Sequence, residues 1–287
     1  MAQPLYPPAG PQSIGQVLDS GFRIFQASLV SCVLYGALAM IAGQLPNIYF
    51  IAAGRPLAPF GGGSALWIAL YLLGAMVTLV MYSALLYRQH GIAVGRRAGT
   101  SVELSRAVRR LPFYILLIIL SVVIFMIPAV LAGFILGLSG IGFAPQNYPV
   151  IALIGLVVAI PLVYLLTPMT LAPPSLLLDG KGPWRAVRYV FRLIRGCWWR
   201  TTVVLTIAAV LILVFYGVAM VIVGMVLPLT GQTDVAAVTA ATGVVYVALG
   251  SIGLPFFSAM LLATYGELKV RKEGLDLEQR VAAIAQP

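Results

Sequence analysis

The chain has 287 residues, of which 61% are hydrophobic and 9% charged, and its excess of basic residues gives a formal net charge of +10. Soluble domains are about 45–50% apolar and about 25% charged, so this composition excludes an ordinary soluble protein and a disordered chain. Two cysteines are too few for a scaffold held by several disulfides. The composition therefore predicts an integral membrane protein.

Six apolar stretches are long enough to cross the hydrocarbon core of a bilayer, which takes about 20 helical residues. The backbone finds no polar partner in lipid, so these stretches are expected to be helices. None shows the alternation of a barrel strand. The predicted spans are Ile24–Gln44, Ala65–Tyr87, Pro112–Leu138, Val150–Leu171, Thr201–Leu229 and Ala236–Gly266. The predicted fold is an all-α integral membrane protein with six transmembrane helices.

The regions outside the spans suggest three parts. Residues 1–12 are rich in proline and uncharged, and we expect a flexible N-terminus without a cleaved signal peptide. Residues 13–266 are expected to form one membrane domain. Residues 267–287 are expected to form a charged tail.

The charges are distributed unequally between the two sides of the membrane that six spans would define. Every basic residue except Arg55, and every acidic residue except Asp234, falls on the side of the two termini. The positive-inside rule then places both termini in the cytoplasm. This asymmetry explains the high net charge, and no nucleic-acid partner is expected.

A short segment with helical character precedes each pair of spans, which suggests an internal repeat. These segments begin at Ser13, Ser101 and Gly182. They divide the membrane domain into residues 13–98, 99–180 and 181–266. The common layout predicts three parallel two-span repeats related by rotation about the membrane normal. Each repeat is expected to begin with an interfacial amphipathic helix on the cytoplasmic side.

The third of these segments has the clearest charge pattern. Its four arginines fall within about 80° of one another on a helix, and apolar residues fill the other side. Such a helix is typical of the headgroup layer, where arginines attract anionic phosphates. Three arginines of the second segment are expected to assist. The predicted lipid- or partner-binding residues are Arg106, Arg109, Arg110, Arg185, Arg188, Arg192 and Arg195.

The residues needed for most enzymatic chemistry are missing from the sequence. His90 is the only histidine, and neither cysteine has metal-ligand spacing. No phosphate-binding loop or dinucleotide fingerprint is present. We therefore expect no catalytic residues, no metal and no cofactor.

The end of the chain resembles a known family. An apolar span ends at an aromatic residue, and a segment of alternating charge follows. The matching residues are Tyr265, Arg271, Lys272, Glu273, Gly274, Asp276 and Leu277, with Glu267 and Lys269 in place of the usual aspartate and arginine. This pattern is similar to the glycerophosphoryl diester phosphodiesterase membrane-domain family and to the YciC-like bacterial inner-membrane proteins. The resemblance implies six spans, cytoplasmic termini and a bacterial inner membrane. The phosphodiesterase domain of that family is absent from this sequence, so its enzymatic activity is not expected here.

Three hypotheses about function follow. The first is a non-enzymatic protein whose basic cytoplasmic face organises or binds anionic lipid or a membrane-protein partner. The second is a small permease for an apolar or amphipathic solute, with a cavity near Pro161, Pro168 and Pro255. The third is a membrane enzyme, for which the sequence offers no residue set. The oligomeric state stays open.

The acidic residues of the tail suggest a structural role. Glu267, Glu273 and Asp276 are expected to pair with basic residues of the cytoplasmic loops. This pairing would fix the direction in which the last span leaves the membrane.

Overall fold

The structure is a computed structural model that describes residues 5–52, 65–96, 99–139, 147–229 and 235–274. Several residues of the charge argument and of the family motif lie outside the described residues. They are Arg55, Arg97, Asp234, Asp276, Leu277, Glu278 and Arg280.

The described residues form eight helices and no strand. The helices are α1 (Ile14–Gly43), α2 (Leu45–Ala52), α3 (Ala65–Val94), α4 (Thr100–Ser139), α5 (Tyr148–Leu177), α6 (Pro183–Ile194), α7 (Trp198–Leu229) and α8 (Val235–Glu273). All except α2 and α6 are long and apolar enough to cross a membrane. The prediction of an all-helical, multi-pass membrane protein is therefore confirmed.

The segments that precede the spans differ from the prediction. The sequence predicts a separate helix before each pair of spans, but the segments beginning at Ser13 and Ser101 form the first turns of α1 and α4. Only α6 is separate from the helix that follows it. Gly196, just after α6, has a φ of 83°, a left-handed conformation that ends a right-handed helix. The other two segments continue into their spans as unbroken helices. The division into three parallel repeats stays a prediction.

Two further boundaries also differ from the predicted ones. Residues 5–12, expected to be flexible, make specific contacts with α3 and α8, which are described below. Helix α8 does not end at Gly266 but continues to Glu273. Leu268 and Val270 in this extension are buried, so apolar packing continues into the segment predicted to be a tail.

The chain divides into two compact units, one formed by Met1–Leu111 with Val203–Pro287 and the other by Pro112–Thr202. In the first unit, α1 packs against both α3 and α8. Its core contains the fully buried side chains of Leu85, Leu86 and Met260.

A proline and a glycine allow α1 and α8 to approach closely. Pro255 has no N–H group, so it cannot bond the carbonyl of Ser251 one turn earlier in α8. That carbonyl oxygen lies against Gly36 of α1, only 2.5 Å from where a Cβ atom would be. Only glycine fits at this position, as is common where membrane helices pack backbone to backbone.

The second unit is built around α5 and α6, which pack against each other. Helix α5 continues through four prolines and buries its last turns, including Met169, Leu171 and Leu176. The start of α7 is tied to α5 by a hydrogen bond between the hydroxyls of Thr167 and Thr202, 2.8 Å apart.

Candidate functional site

The four arginines of the third segment lie on one side of α6 and just beyond its end. Pro183 is the first residue of this helix, where the missing N–H is not needed and the fixed φ suits a helix. Arg185, Arg188 and Arg192 are exposed on its surface. Arg195, also exposed, follows the last helical residue.

The opposite side of α6 determines which way these arginines point. Val187, Val190 and Ile194 are buried, as are Ala186 and Leu193, and Phe191 is partly buried. Because α6 packs against α5 on this apolar side, the helix cannot rotate without exposing it. The arginine side chains are therefore directed away from the core of the second unit. Arg185, Arg188, Arg192 and Arg195 together form the α6 arginine row.

The α6 arginine row has no carboxylate partner among the described residues. The acidic residue just before α6, Asp179, pairs with Lys181 instead. The Lys181 ammonium also lies 3.3 Å from the centre of the Tyr189 ring, in a cation–π contact. The positive charge of the row is thus not neutralised within the described part of the second unit, which favours an external anion.

The second group of predicted arginines lies near the start of α4, within the first unit. Arg106 and Arg109 are exposed, and Arg110 is partly buried. Arg109 lines an open depression of about 510 Å³ together with the hydroxyl residues Ser101 and Ser105. These three residues are spaced four apart, so they form one row along the helix. Such a row of hydroxyl and guanidinium groups can donate hydrogen bonds to a phosphate.

The tail motif of the sequence is part of the packed structure. Tyr265 is completely buried, and Glu267 is only 2% exposed. The Arg271 Nε atom donates to Glu267 Oε1 over 2.7 Å. Lys272 and Glu273 are exposed. The structure gives Glu267 a partner one turn later in the same helix. Its pairing with basic residues of the loops stays a prediction.

The N-terminal segment lies against the ends of α3 and α8. The backbone N–H groups of Leu5 and Tyr6 donate to the Ala93 carbonyl at 2.8 and 3.1 Å. The Tyr6 ring packs edge-on against His90, and it fills the space that a side chain at Gly266 would need. These contacts hold a segment that its proline content predicted to be flexible.

The tail and the N-terminal segment are also connected directly. The Arg271 Nη2 atom donates to the Gln12 carbonyl over 3.1 Å. Because Arg271 also holds Glu267, one guanidinium joins α8 to the N-terminal segment. The tail motif therefore has a structural role in the first unit.

Sequence reasoning missed a buried ion pair. Arg88 Nε of α3 lies 2.8 Å from Glu103 Oε2 of α4, and Glu103 is 2% exposed. The Tyr35 hydroxyl of α1 donates to the same carboxylate oxygen over 3.2 Å. Arg88 Nη2 donates to Thr100 Oγ1 over 2.7 Å. The sequence shows only single charges near the ends of two helices, so no spacing rule could join them.

A second buried polar contact joins three helices of the first unit. Gln89 of α3 is fully buried, and its Nε2 atom donates to the Pro255 carbonyl of α8 at 2.7 Å. The same atom donates to Ser28 Oγ of α1 at 3.3 Å. Gln89 Oε1 has no hydrogen-bond partner among the described residues.

The residues suggested for a permease cavity lie in two different units. Pro161 and Pro168 belong to α5, and Pro255 belongs to α8. Pro161 is exposed, whereas Pro168 and Pro255 are buried. In the first unit, the Pro255 carbonyl accepts a hydrogen bond from the Gln89 amide.

No group of three or more histidine, cysteine, aspartate or glutamate residues that could hold a metal occurs within the described ranges. Cys32 is buried, and Cys197 is half-buried.

No protein-family model, curated protein or solved structure matches the chain. The similarity to the phosphodiesterase membrane-domain family therefore stays a prediction.

Proposed function

We propose that this protein is a non-enzymatic membrane protein that binds anionic lipid headgroups through exposed arginines. The single observation that carries the proposal is the α6 arginine row. Its guanidinium groups share one side of a helix whose other side is buried, and they have no carboxylate partner among the described residues. A basic residue near an anionic membrane surface contributes roughly 1 kcal/mol, so four of them together favour retention of anionic lipid.

The topology used in this proposal combines three expectations. The charge distribution places both termini in the cytoplasm, the repeated layout of the spans gives three parallel pairs, and the family resemblance implies a bacterial inner membrane. Helix α6 then lies in the cytoplasmic headgroup layer, with Trp184 exposed beside the arginines. Tryptophan is enriched at this depth of a membrane, which supports the same placement.

The arginines of α4 provide a second basic surface of the same chemistry. Arg106 and Arg109 are exposed at the end of α4 where the cytoplasmic side is predicted. The proposal includes them as further headgroup contacts. A membrane-protein partner with an acidic cytoplasmic segment is the alternative occupant of these surfaces. A small permease for an apolar or amphipathic solute stays the alternative hypothesis.

The proposal can be tested by measuring which lipids stay bound after purification. The protein is extracted in a mild detergent, and bound lipids are identified by native mass spectrometry. A variant with glutamine at all four positions of the α6 arginine row is expected to retain at least tenfold less anionic lipid. A variant with lysine at the same positions keeps the charge, and it is expected to lose less than the glutamine variant.

Two controls separate loss of the site from loss of the fold. Both variants must keep the melting temperature of the unmodified protein in detergent. Arg23→Gln removes an exposed arginine that is paired with Asp19, and it should leave lipid retention unchanged. Equal retention by the folded glutamine variant and the unmodified protein would contradict the proposal. Loss of a co-purifying protein instead of lipid would favour the partner hypothesis.

A further inference from the structure

An apolar groove runs along the surface of the first unit between α1, α7 and α8. Its volume is about 530 Å³, within the roughly 300–1,000 Å³ of typical ligand sites. The residues that define it are Phe22, Phe25, Leu211, Phe215, Gly253 and Phe256.

Three phenylalanines of the groove lining contact one another. The Phe25 ring meets the Phe256 ring edge-on, with the ring centres 5.4 Å apart. The Phe22 ring also contacts the Phe256 ring, with the ring centres 5.3 Å apart. From Phe256 the groove extends along α8 to Leu249, a distance of about 10 Å at 1.5 Å per residue. The groove is thus elongated and parallel to helices that are long enough to cross a membrane.

The groove is deep at Gly253 because this residue has no side chain to fill it. A Cβ atom at Gly253 would be 3.8 Å from Ile212 Cγ2, an ordinary contact, and the space beyond it is the groove. A larger side chain at this position would therefore occupy the groove without a clash at its first atom.

The groove offers no free polar group to a ligand. Its one polar side chain, Tyr216, donates its hydroxyl to the Tyr246 carbonyl over 3.2 Å. The lining residues are otherwise hydrocarbon, with their backbone in helices. A ligand group that needs hydrogen bonds would lose them here at a cost, so the lining selects an occupant without polar groups.

The rim of the groove argues against a second helix as the occupant. Phe22, Phe215 and Ile252 are 39%, 67% and 48% exposed, so their bulky side chains project from the surface. Membrane helices pack closely where small residues line both surfaces. The projecting side chains on this rim do not offer that close backbone approach to a helix, whereas a thin, flexible hydrocarbon chain can lie between them.

We propose that this groove binds one acyl chain of a membrane lipid. The site differs from the arginine surfaces proposed above, and the proposal does not depend on them. The occupant is recognised by its hydrocarbon chain and not by its headgroup. Lipids with neutral and with anionic headgroups should therefore both occupy the groove.

Photo-crosslinking with a lipid of neutral headgroup tests the proposal. The full chain, purified in a mild detergent, is titrated with phosphatidylcholine that carries a diazirine midway along one acyl chain. Labelled residues are then identified by mass spectrometry. Label is expected in residues 211–216 and 249–256, and it should saturate at a lower lipid concentration than the label on the exposed α7 residues Val218, Val221, Ile222 and Met225.

Variants with matched controls make the result decisive. Gly253→Leu should reduce the groove label at least tenfold. Gly217→Leu, in α7 with nothing within 4 Å of its Cβ position, should leave it unchanged. Should Gly253→Leu fail to fold, Phe215→Ala at an exposed position is expected to reduce the saturable label at least threefold.

Two outcomes would overturn the proposal. The first is that the groove residues and the exposed α7 residues are labelled over the same range of lipid concentration, and that Gly253→Leu changes both labels equally. The groove would then be ordinary lipid-facing surface. The other is a chain-to-chain crosslink from a photoreactive residue placed at position 215, which would make the occupant a second copy of the chain. The variant with glutamine in the α6 arginine row should keep the groove label, so failure of the headgroup proposal would not remove it.

Discussion

The guanidinium of Arg88 and the carboxylate of Glu103 form a buried ion pair with 2.8 Å between Nε and Oε2. The pair connects the last turns of α3 to the first turn of α4, and the Tyr35 hydroxyl extends it to α1. Removing one partner of a buried pair leaves the other charge uncompensated, which usually costs more than the pair itself contributes. This relationship makes the two residues a sensitive test of the packing of the first unit.

Glu103→Ala is expected to destabilise the protein by about 1–3 kcal/mol, because Arg88, which is only 17% exposed, would lose the carboxylate that compensates its charge. The double variant Arg88→Met with Glu103→Leu should cost less than the sum of the two single changes. Unfolding in detergent, followed by circular dichroism, measures Glu103→Ala, the double variant and its two single variants, Arg88→Met and Glu103→Leu. The exposed pair of Asp19 and Arg23 is the matched control, and Asp19→Ala should cost less than about 1 kcal/mol. Equal costs for Glu103→Ala and Asp19→Ala would show that burial of the pair has no effect.

Gly36→Ala is expected to destabilise the first unit by about 1–3 kcal/mol, the usual range for overpacking. The new Cβ atom would lie 2.5 Å from the Ser251 carbonyl oxygen, so α1 and α8 would have to separate. Thermal unfolding in detergent measures the effect. Gly133→Ala in α4 is the control, since its Cβ position has nothing within 4 Å. A normal melting temperature for Gly36→Ala would mean that the two helices are farther apart than described.

The fold class could be predicted because it depends on length and composition alone. A run of about 20 apolar residues must be helical in lipid whatever surrounds it, so six apolar runs give six helices. The side of α6 that is exposed could also be predicted, since the spacing of its arginines sets their direction on a helix. Both predictions need only local information.

The contacts between helices could not be predicted because they depend on tertiary packing. Arg88 and Glu103 are 15 positions apart in different helices, and no periodicity relates them. The packing of Tyr6 against Gly266 joins nearly opposite ends of the sequence. The continuation of α8 to Glu273 was missed because the charged residues there suggested solvent, whereas one side of the helix stays buried.

Arg271→Ala is expected to destabilise the protein by about 1–2 kcal/mol and to loosen the N-terminal segment. The change removes the hydrogen bond from Arg271 to the buried Glu267 carboxylate and the contact with the Gln12 carbonyl. Limited proteolysis should therefore cut the N-terminal segment faster in this variant. Lys272→Ala changes the neighbouring exposed residue, and it should stay within about 0.5 kcal/mol of the unmodified protein. If the two variants were cut at the same rate, Arg271 would not hold the segment.

Gln89→Leu and Gln89→Glu are expected to differ in their effects, although both remove the donating amide. Leucine removes the hydrogen bonds to the Pro255 carbonyl and to Ser28, and it also removes the buried oxygen that has no partner among the described residues. Hydrogen bonds between membrane helices contribute about 0.6 kcal/mol on average, so Gln89→Leu should cost less than about 2 kcal/mol. Glutamate places a carboxyl group against the Pro255 carbonyl oxygen in a fully buried position, where a charge is costly. Unfolding of both variants in detergent at neutral pH should therefore rank Gln89→Glu as the less stable, and the reverse order would mean that water reaches this part of the core.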